Sequence, residues 1–425
     1  MNEMKLDFEI VRIKDVKFGD ETAINDGVLT INKEEMIETV ADPAMIHVDV
    51  QIAKPGESVR IVPVKDVIEP RIKVETGGYF PGILDKFEHC GHGTTRALKG
   101  CCVTTCGKIM GFQEGIIDMS GPAAKYNTYS QLVNIVLVAD PSEGLSAKEH
   151  ETAIRNMGFR AALYVAKASL KVEPDEVETY IKQQVPAEKE LPRVSIAYLL
   201  MAQGLLHDSE IYGIDAKNLM SLLVHPNEVF DGAVVSGNCV TASDKSTTYD
   251  AQNNPLIKEL FKRQGVDLEI GGIILNPIST LLSEKERNAN LTVNLARQLR
   301  TDVMIIPQEG GGNPEADLML ICEAAEKQGI KTVIMLHDHP GADGTAEPMI
   351  NTSPYADAIV TVGNDSAQII LPEMERYIGH KEQLGVLSGT PADYKQADGT
   401  YKVGVSIIMG STNNLGMNAN TTEEI

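Results

Sequence analysis

The sequence predicts an α/β protein in three parts. These are a strand-rich N-terminal domain over residues 1–142, a short helical segment and linker over 143–191, and a doubly wound, mostly parallel α/β domain over 192–425. Three observations carry this. Gly and Pro punctuate β-branched and alternating runs through the first third of the chain. A helix-spaced apolar pattern follows. Beyond Arg193, near-continuous apolar strands alternate with helices of about 10–15 residues, which marks a parallel sheet covered on both faces.

In order along the chain, Phe8–Ile13, Val59–Val64 and Leu132–Val138 read as N-terminal strands. Between Glu149 and Leu170, the residues Ile154, Met157, Ala161, Tyr164, Val165 and Ala168 recur at helical spacing. Pro174, followed by Asp175, Glu176 and Glu178, predicts the start of a second helix. Pro186 and Pro192 bracket the charged linker Ala187–Glu190. Strands are then expected at Val194–Leu200, Val229–Val235, Leu268–Leu275, Val303–Ile306, Thr332–Leu336 and Ala358–Val362. Helices fit between them at Pro255–Gln264, Ser283–Leu299 and Pro314–Gln328.

Composition narrows the function. A chain of 425 residues with 43% hydrophobic content suits two or three domains and a large core. A net charge of -22 argues against nucleic acid and anionic membranes as partners. No run of about 18 apolar residues predicts membrane insertion, and Met1–Phe8 lacks the basic start and apolar core of a signal peptide. A cytoplasmic protein is expected. Its six cysteines then point to thiols, metal ligands or catalysis rather than structural disulfides.

The candidate chemistry centres on Ser236-Gly237-Asn238-Cys239, where an apolar run stops at a bend and presents a thiol. A cysteine sulfur can attack the carbonyl before it, turning the Asn238–Cys239 amide into a thioester. Elimination would then break the chain and leave a pyruvoyl group. The alternative is a small buried hydrophobe, the usual state of a free cysteine. On the expected ligand edge of the sheet, Gly311 and Gly312 lead into a helix with Asn313 as expected N-cap and Pro314 at its first turn. Their amides suit a carboxylate or phosphate, or simply form a capped turn. His207-Asp208 offers a proton shuttle or a capped loop. His337-Asp338-His339 could be a metal trio, a pocket rim or a polar loop.

A second cluster combines His89, Cys90 and His92 with Cys101, Cys102 and Cys106. These are ligand types that zinc accepts, but the spacing matches no paired C-x₂-C pattern. Strand alternation sends Cys102 and Cys106 to one face and Cys101 to the other. Core residues, a redox role and a metal site are the alternatives, and no metal is expected.

Five separated segments share one order: Ile13–Gly19, Arg60–Arg71, Gly111–Gly121, Gly204–Asp208 and Asp231–Cys239. On these the chain resembles the precursor of the alpha and beta subunits of component B of the glycine, sarcosine and betaine reductases. The resemblance implies a cut between Asn238 and Cys239, with Cys239 becoming an N-terminal pyruvoyl cofactor and no nucleotide cofactor required. It also implies that the pyruvoyl carbonyl condenses with a substrate amine. The implied partners are a selenocysteine-containing component B subunit, selenoprotein A and component C, with thioredoxin supplying electrons indirectly and acetyl phosphate as product. Betaine, with no free valence on nitrogen, cannot condense in that way. A proline reductase-type pyruvoyl subunit and an unprocessed structural or binding subunit are the rivals.

Overall fold

A computed structural model describes residues 4–111, 113–182, 190–204, 208–237, 240–338, 352–412 and 414–417. The long apolar run around Val62 forms strand Val59–Ile68, the spine of the N-terminal sheet. Gly115–Asp118 pairs with it on one side, and Cys101–Cys106, Val133–Pro141 and Met45–Ala53 continue the sheet on the other. Helices α1 (Lys33–Val40) and α2 (Ala147–Lys167) pack together over this sheet. The residues that recur at helical spacing from Ile154 to Ala168 are buried, and Ser146 closes the start of α2 in a reciprocal cap with Glu149.

The segment after Pro174 departs from expectation. Glu176–Ile181 is a strand, not a helix, and pairs antiparallel with Lys5–Arg12 at the edge of a second sheet completed by Gly93–Lys99 and Arg71–Lys73. Its acidic residues serve cross-strand pairing, as Glu176 meets Arg12. Tyr180 lies edge-on to Phe8, with ring centroids 5.8 Å apart, and 4.9 Å from Phe230. This aromatic packing overrides the local helix-start signal.

From Arg193 the chain builds the expected mostly parallel sheet with helices on both faces. That sheet runs Leu222–Val224, Glu269–Ile278, Arg193–Met201, Val303–Pro307, Lys331–Asp338, Ile359–Asn364, and only the first is antiparallel. The five parallel strands therefore lie in the order 2-1-3-4-5. The winding reverses between Arg193–Met201 and Val303–Pro307, and ligands in such folds bind beyond the strand ends at that switch point.

Strand alternation splits the core. Ile196, Tyr198 and Leu200 face α3 (Pro226–Phe230), α5 (Pro255–Arg263) and the N-terminal Leu6 and Phe8, while α4 (Thr248–Gln252) precedes α5. Ala197, Leu199 and Met201 face α6 (Leu282–Gln298) and α7 (Asn313–Glu326). Among the described residues no helix is long and apolar enough to cross a membrane.

The strand expected over Val229–Val235 divides into α3 and a two-residue strand, Val234–Val235. That strand belongs to a small antiparallel sheet with Glu210–Ile211 and Ile214–Asp215, not to the main sheet. His225 caps α3 through Nδ1, and Pro226 opens it. Asp231 then interrupts the apolar run, buried between the Gly91 amide, the Thr95 hydroxyl and Lys73. A continuous apolar run does not by itself separate strand from buried helix.

Residues beyond 364 return to the N-terminal sheet. Arg376–Gly379 pairs parallel with Val59–Ile68, and the two-stranded antiparallel sheet of Gln368–Leu371 and Tyr401–Gly404 packs on Val62 and Ile116.

Candidate functional site

Asn238, Cys239 and His207 lie outside the described residues, but the chain on both sides of the Asn238–Cys239 bond is placed. Upstream, the Ser236 amide donates to Thr248 Oγ1 at 3.1 Å. The Ser236 carbonyl accepts from Arg155 Nη2 at 2.6 Å, and the same nitrogen donates to the Asp208 carbonyl at 2.9 Å. Thr248 is held in turn by Asp66, which accepts from its hydroxyl at 2.6 Å and its amide at 2.9 Å. Gly237 lies so close to the Asp208–Ser209 backbone that a β-carbon there would sit 2.6 Å from the Ser209 nitrogen. Downstream, Val240 packs on Gly310, where a β-carbon would lie 2.8 Å from Val240 Cγ1.

Asp208 and Ser209 follow strand Arg193–Met201, and Gly310 follows Val303–Pro307. Those are the two strands that border the switch point. The main-sheet strand expected to deliver Cys239 does not exist, yet both flanks of Asn238–Cys239 rest on the ligand edge.

The electrostatics are those of an enclosed polar site. Arg155 pairs with Glu210 and, with Lys65 and Glu151, lines a small cleft that opens on Ser236 and Gly237. Burial pushes the Glu151 carboxyl up to about 7 and the neighbouring His150 down to about 4. Downstream, Asp244, Lys245, Thr247, Thr248 and Asp250 are all buried. Burial raises Asp250 to about 6 although Tyr129 donates to it at 2.6 Å. Burial and then the charge of Asp244 raise Glu309 well above the usual carboxylate range, and Ser246 donates to it at 3.3 Å. Asp208 is raised to about 6 by burial, against the Gly204 amide that it accepts at 2.8 Å.

The glycine-rich loop differs in detail from expectation. Asn313 is the first residue of α7, and Gly312, at φ +77°, is the cap. Only glycine takes that conformation without strain, so the chain enters the helix one residue early. Asn313 instead accepts from Gln203 at 3.4 Å across the switch point. The Gly312 amide already donates to Glu315 at 3.2 Å, so a carboxylate of the chain occupies part of the anion position. Gly311 and Asn313 are exposed.

The cysteine and histidine cluster is dispersed. Cys101 lies in one core while Cys102 and Cys106 lie in another. Cys90 points its thiol at the Glu228 carbonyl at 3.5 Å, and the His92 ring meets the Glu88 carbonyl at 2.7 Å. Burial pushes the Cys102 and Cys106 thiols up to about 12, away from the thiolate that binds metal. A different group converges. Among the described residues, Asp244, His337 and Asp365 place ligand atoms within 4.8 Å of one another.

The family model of the glycine/sarcosine/betaine reductase component B subunits matches residues 4–423. The chain belongs to this family. It is 44% identical to the glycine reductase complex component B subunits alpha and beta of Acetoanaerobium sticklandii, over 99% of this chain and 100% of that protein. It is 43% identical to the sarcosine reductase complex component B subunit alpha of Peptoclostridium acidaminophilum, over 96% and 97% of the two chains. The betaine reductase complex component B subunit alpha of the same organism is 38% identical, over 96% and 95%. No solved structure matches the chain.

In this component B chain, the sequence reading missed Arg155, Asp66, Thr248, Asp244 and Glu309. Asp66 did carry a signal, as the one acid, beside Arg60 and Lys65, in the mainly apolar Val59–Ile68 run. Asp244–Thr248 carried none, because consecutive polar residues read as a solvated loop.

Proposed function

We propose that this chain is the precursor of the substrate-binding, pyruvoyl-bearing subunits of component B, cut between Asn238 and Cys239. The complex would reductively deaminate glycine, or sarcosine or betaine, toward acetyl phosphate. What supports this reading most is the immobilisation of both flanks of that bond at the switch point, in a chain of the component B family.

In the cut, the Cys239 thiol adds to the Asn238 carbonyl and displaces the Cys239 amide nitrogen, forming a thioester. Elimination releases Asn238 as a thiocarboxylate and leaves dehydroalanine at 239. Water converts that residue to a pyruvoyl carbonyl with loss of ammonia. Arg155 and Thr248 hold the carbonyl and amide of Ser236, so the upstream chain stays within reach of the thiol. The segment downstream of the cut is polar with little access to water: Thr241 bonds Asp244, Ser246 bonds Glu309, and Lys245 donates to the Gln113 carbonyl.

The formed group supplies an electrophilic carbonyl toward the substrate amine. This chain contains no selenocysteine, so a selenocysteine-containing component B subunit, selenoprotein A and component C complete the reaction, with thioredoxin as electron source in the cytoplasm.

Mass spectrometry of the chain from its native cells tests this. Two fragments are expected, the smaller with a carbonyl-blocked residue at 239. An intact 46.1 kDa chain with an alkylatable Cys239 overturns the reading. Borohydride trapping with labelled glycine or sarcosine then separates the substrates.

A further inference from the structure

We propose that Asp244, His337 and Asp365 bind one divalent transition-metal ion at the same sheet edge. The topology brings them together from three segments. Lys331–Asp338 and Ile359–Asn364 are neighbouring parallel strands with Asp338 opposite Asn364, so His337 and Asp365 meet at their C-terminal ends. Asp244 arrives from the segment after Val240. Asp244 Oδ1 lies 3.3 Å from His337 Nδ1, and the three residues are only 3–7% exposed.

The donor set suits a cation. Two carboxylates and one imidazole converge from three segments with little access to water, and one divalent ion would engage all three at once. Asp244 is oriented as a second shell orients a ligand: Thr412 Oγ1 donates to Oδ1 at 2.8 Å and Thr241 Oγ1 to Oδ2 at 3.0 Å. One imidazole nitrogen with carboxylate oxygens suits Zn²⁺, Mn²⁺ or Fe²⁺, whereas Mg²⁺ and Ca²⁺ favour oxygen alone. Three protein donors leave a coordination position open, which is the pattern of a site that takes a water or a ligand carboxylate. The site does not depend on the cut at residue 239.

The full-length chain, purified without chelator, is titrated with Zn²⁺ and with Mn²⁺ and analysed for bound metal. One ion per chain is expected, with a rise in melting temperature on binding. Asp365→Asn and His337→Ala should each weaken binding by about tenfold or more. Cys102→Ser and Cys106→Ser should leave it unchanged. A wild-type chain that takes up neither ion overturns the proposal, and so does an Asp365→Asn chain that binds with unaltered affinity. If a variant fails to fold, the wild-type titration alone decides.

Discussion

Arg155 Nη2 donates to the Ser236 carbonyl at 2.6 Å, which ties the middle of α2 to the chain three residues before Cys239. Charge-assisted bonds of this kind are short and about twice as strong as neutral ones. The contact crosses from the helix over the N-terminal sheet to the switch point, so a residue far away in sequence governs the geometry upstream of the Asn238–Cys239 bond.

Arg155→Gln should therefore lower both processing and stability. It removes the partner of Glu210, whose side chain is partly exposed, and the donor to two backbone carbonyls, which together should cost about 1–3 kcal/mol. Urea titration measures the stability, and the ratio of intact chain to fragments by mass spectrometry measures processing. Arg155→Lys should recover part of the processing. Equal fragment yield in Arg155→Gln would remove Arg155 from this role.

Gly237→Ala places a methyl group against backbone that cannot rotate away, 2.6 Å from the Ser209 nitrogen and 2.9 Å from the Asp208 carbonyl carbon. We expect about 1–3 kcal/mol of destabilisation from overpacking, together with a marked fall in fragment yield. Urea titration and the fragment ratio by mass spectrometry read the two effects, and a Gly237→Ala chain of unchanged stability would contradict the close approach.

Two adjacent residues should oppose one another in pH dependence. Glu151, raised to about 7 from an unfolded value near 4.5, keeps a proton that the unfolded chain gives up. Its contribution falls as pH rises across that window, by up to about 3 kcal/mol. His150, lowered to about 4 from 6.5, contributes the opposite slope between those values, because the unfolded chain binds the proton more readily. Glu151→Gln should thus make stability climb more steeply from pH 4 to 6.5, measured as urea midpoints. An unchanged profile would contradict the burial of the Glu151 carboxyl.

Glu69 gives an acid-side test. Burial acts to raise its carboxyl, but Arg71 and Lys99 hold it down at about 2. Each donates to it at 2.6 Å. A depressed carboxylate stabilises the fold above its unfolded value and loses that contribution as pH falls toward 2. Glu69→Gln should cost about 3–5 kcal/mol at neutral pH and flatten the loss of stability below pH 4.5, which acid titration followed by circular dichroism would record.

Much of this molecule is legible in its sequence because burial on two faces leaves a simple signature. Ile196 and Ala197 point to opposite cores, so strand Arg193–Met201 is apolar along most of its length. The helical spacing from Ile154 to Ala168 is equally plain. Legibility ends where tertiary partners decide. Glu176 and Tyr180 join a strand because Arg12 and Phe230 await them, and neither partner is local. Asp244 and Thr248 look like solvated loop residues, since nothing in the run Ala242–Thr248 reveals that strand ends 60 to 120 residues later will enclose it. The thiol at 239 was conspicuous, but the arginine that holds the Ser236 carbonyl upstream of it sits on an amphipathic helix and looks like any other charged residue there.

The strand order carries a consequence for assembly. Arg193–Met201 precedes the Asn238–Cys239 bond, whereas both of its neighbours in the sheet, Glu269–Ile278 and Val303–Pro307, follow it. Arg376–Gly379, also downstream, is paired with Val59–Ile68 far upstream. A break at that bond would leave each piece holding strands that only the other can complete. The upstream piece keeps its N-terminal sheets nearly whole, but the sheet at the switch point needs strands from both pieces, so under the proposed cut folding would have to come first and scission second. Once made, the pair could not trade partners with another molecule without unravelling its own centre.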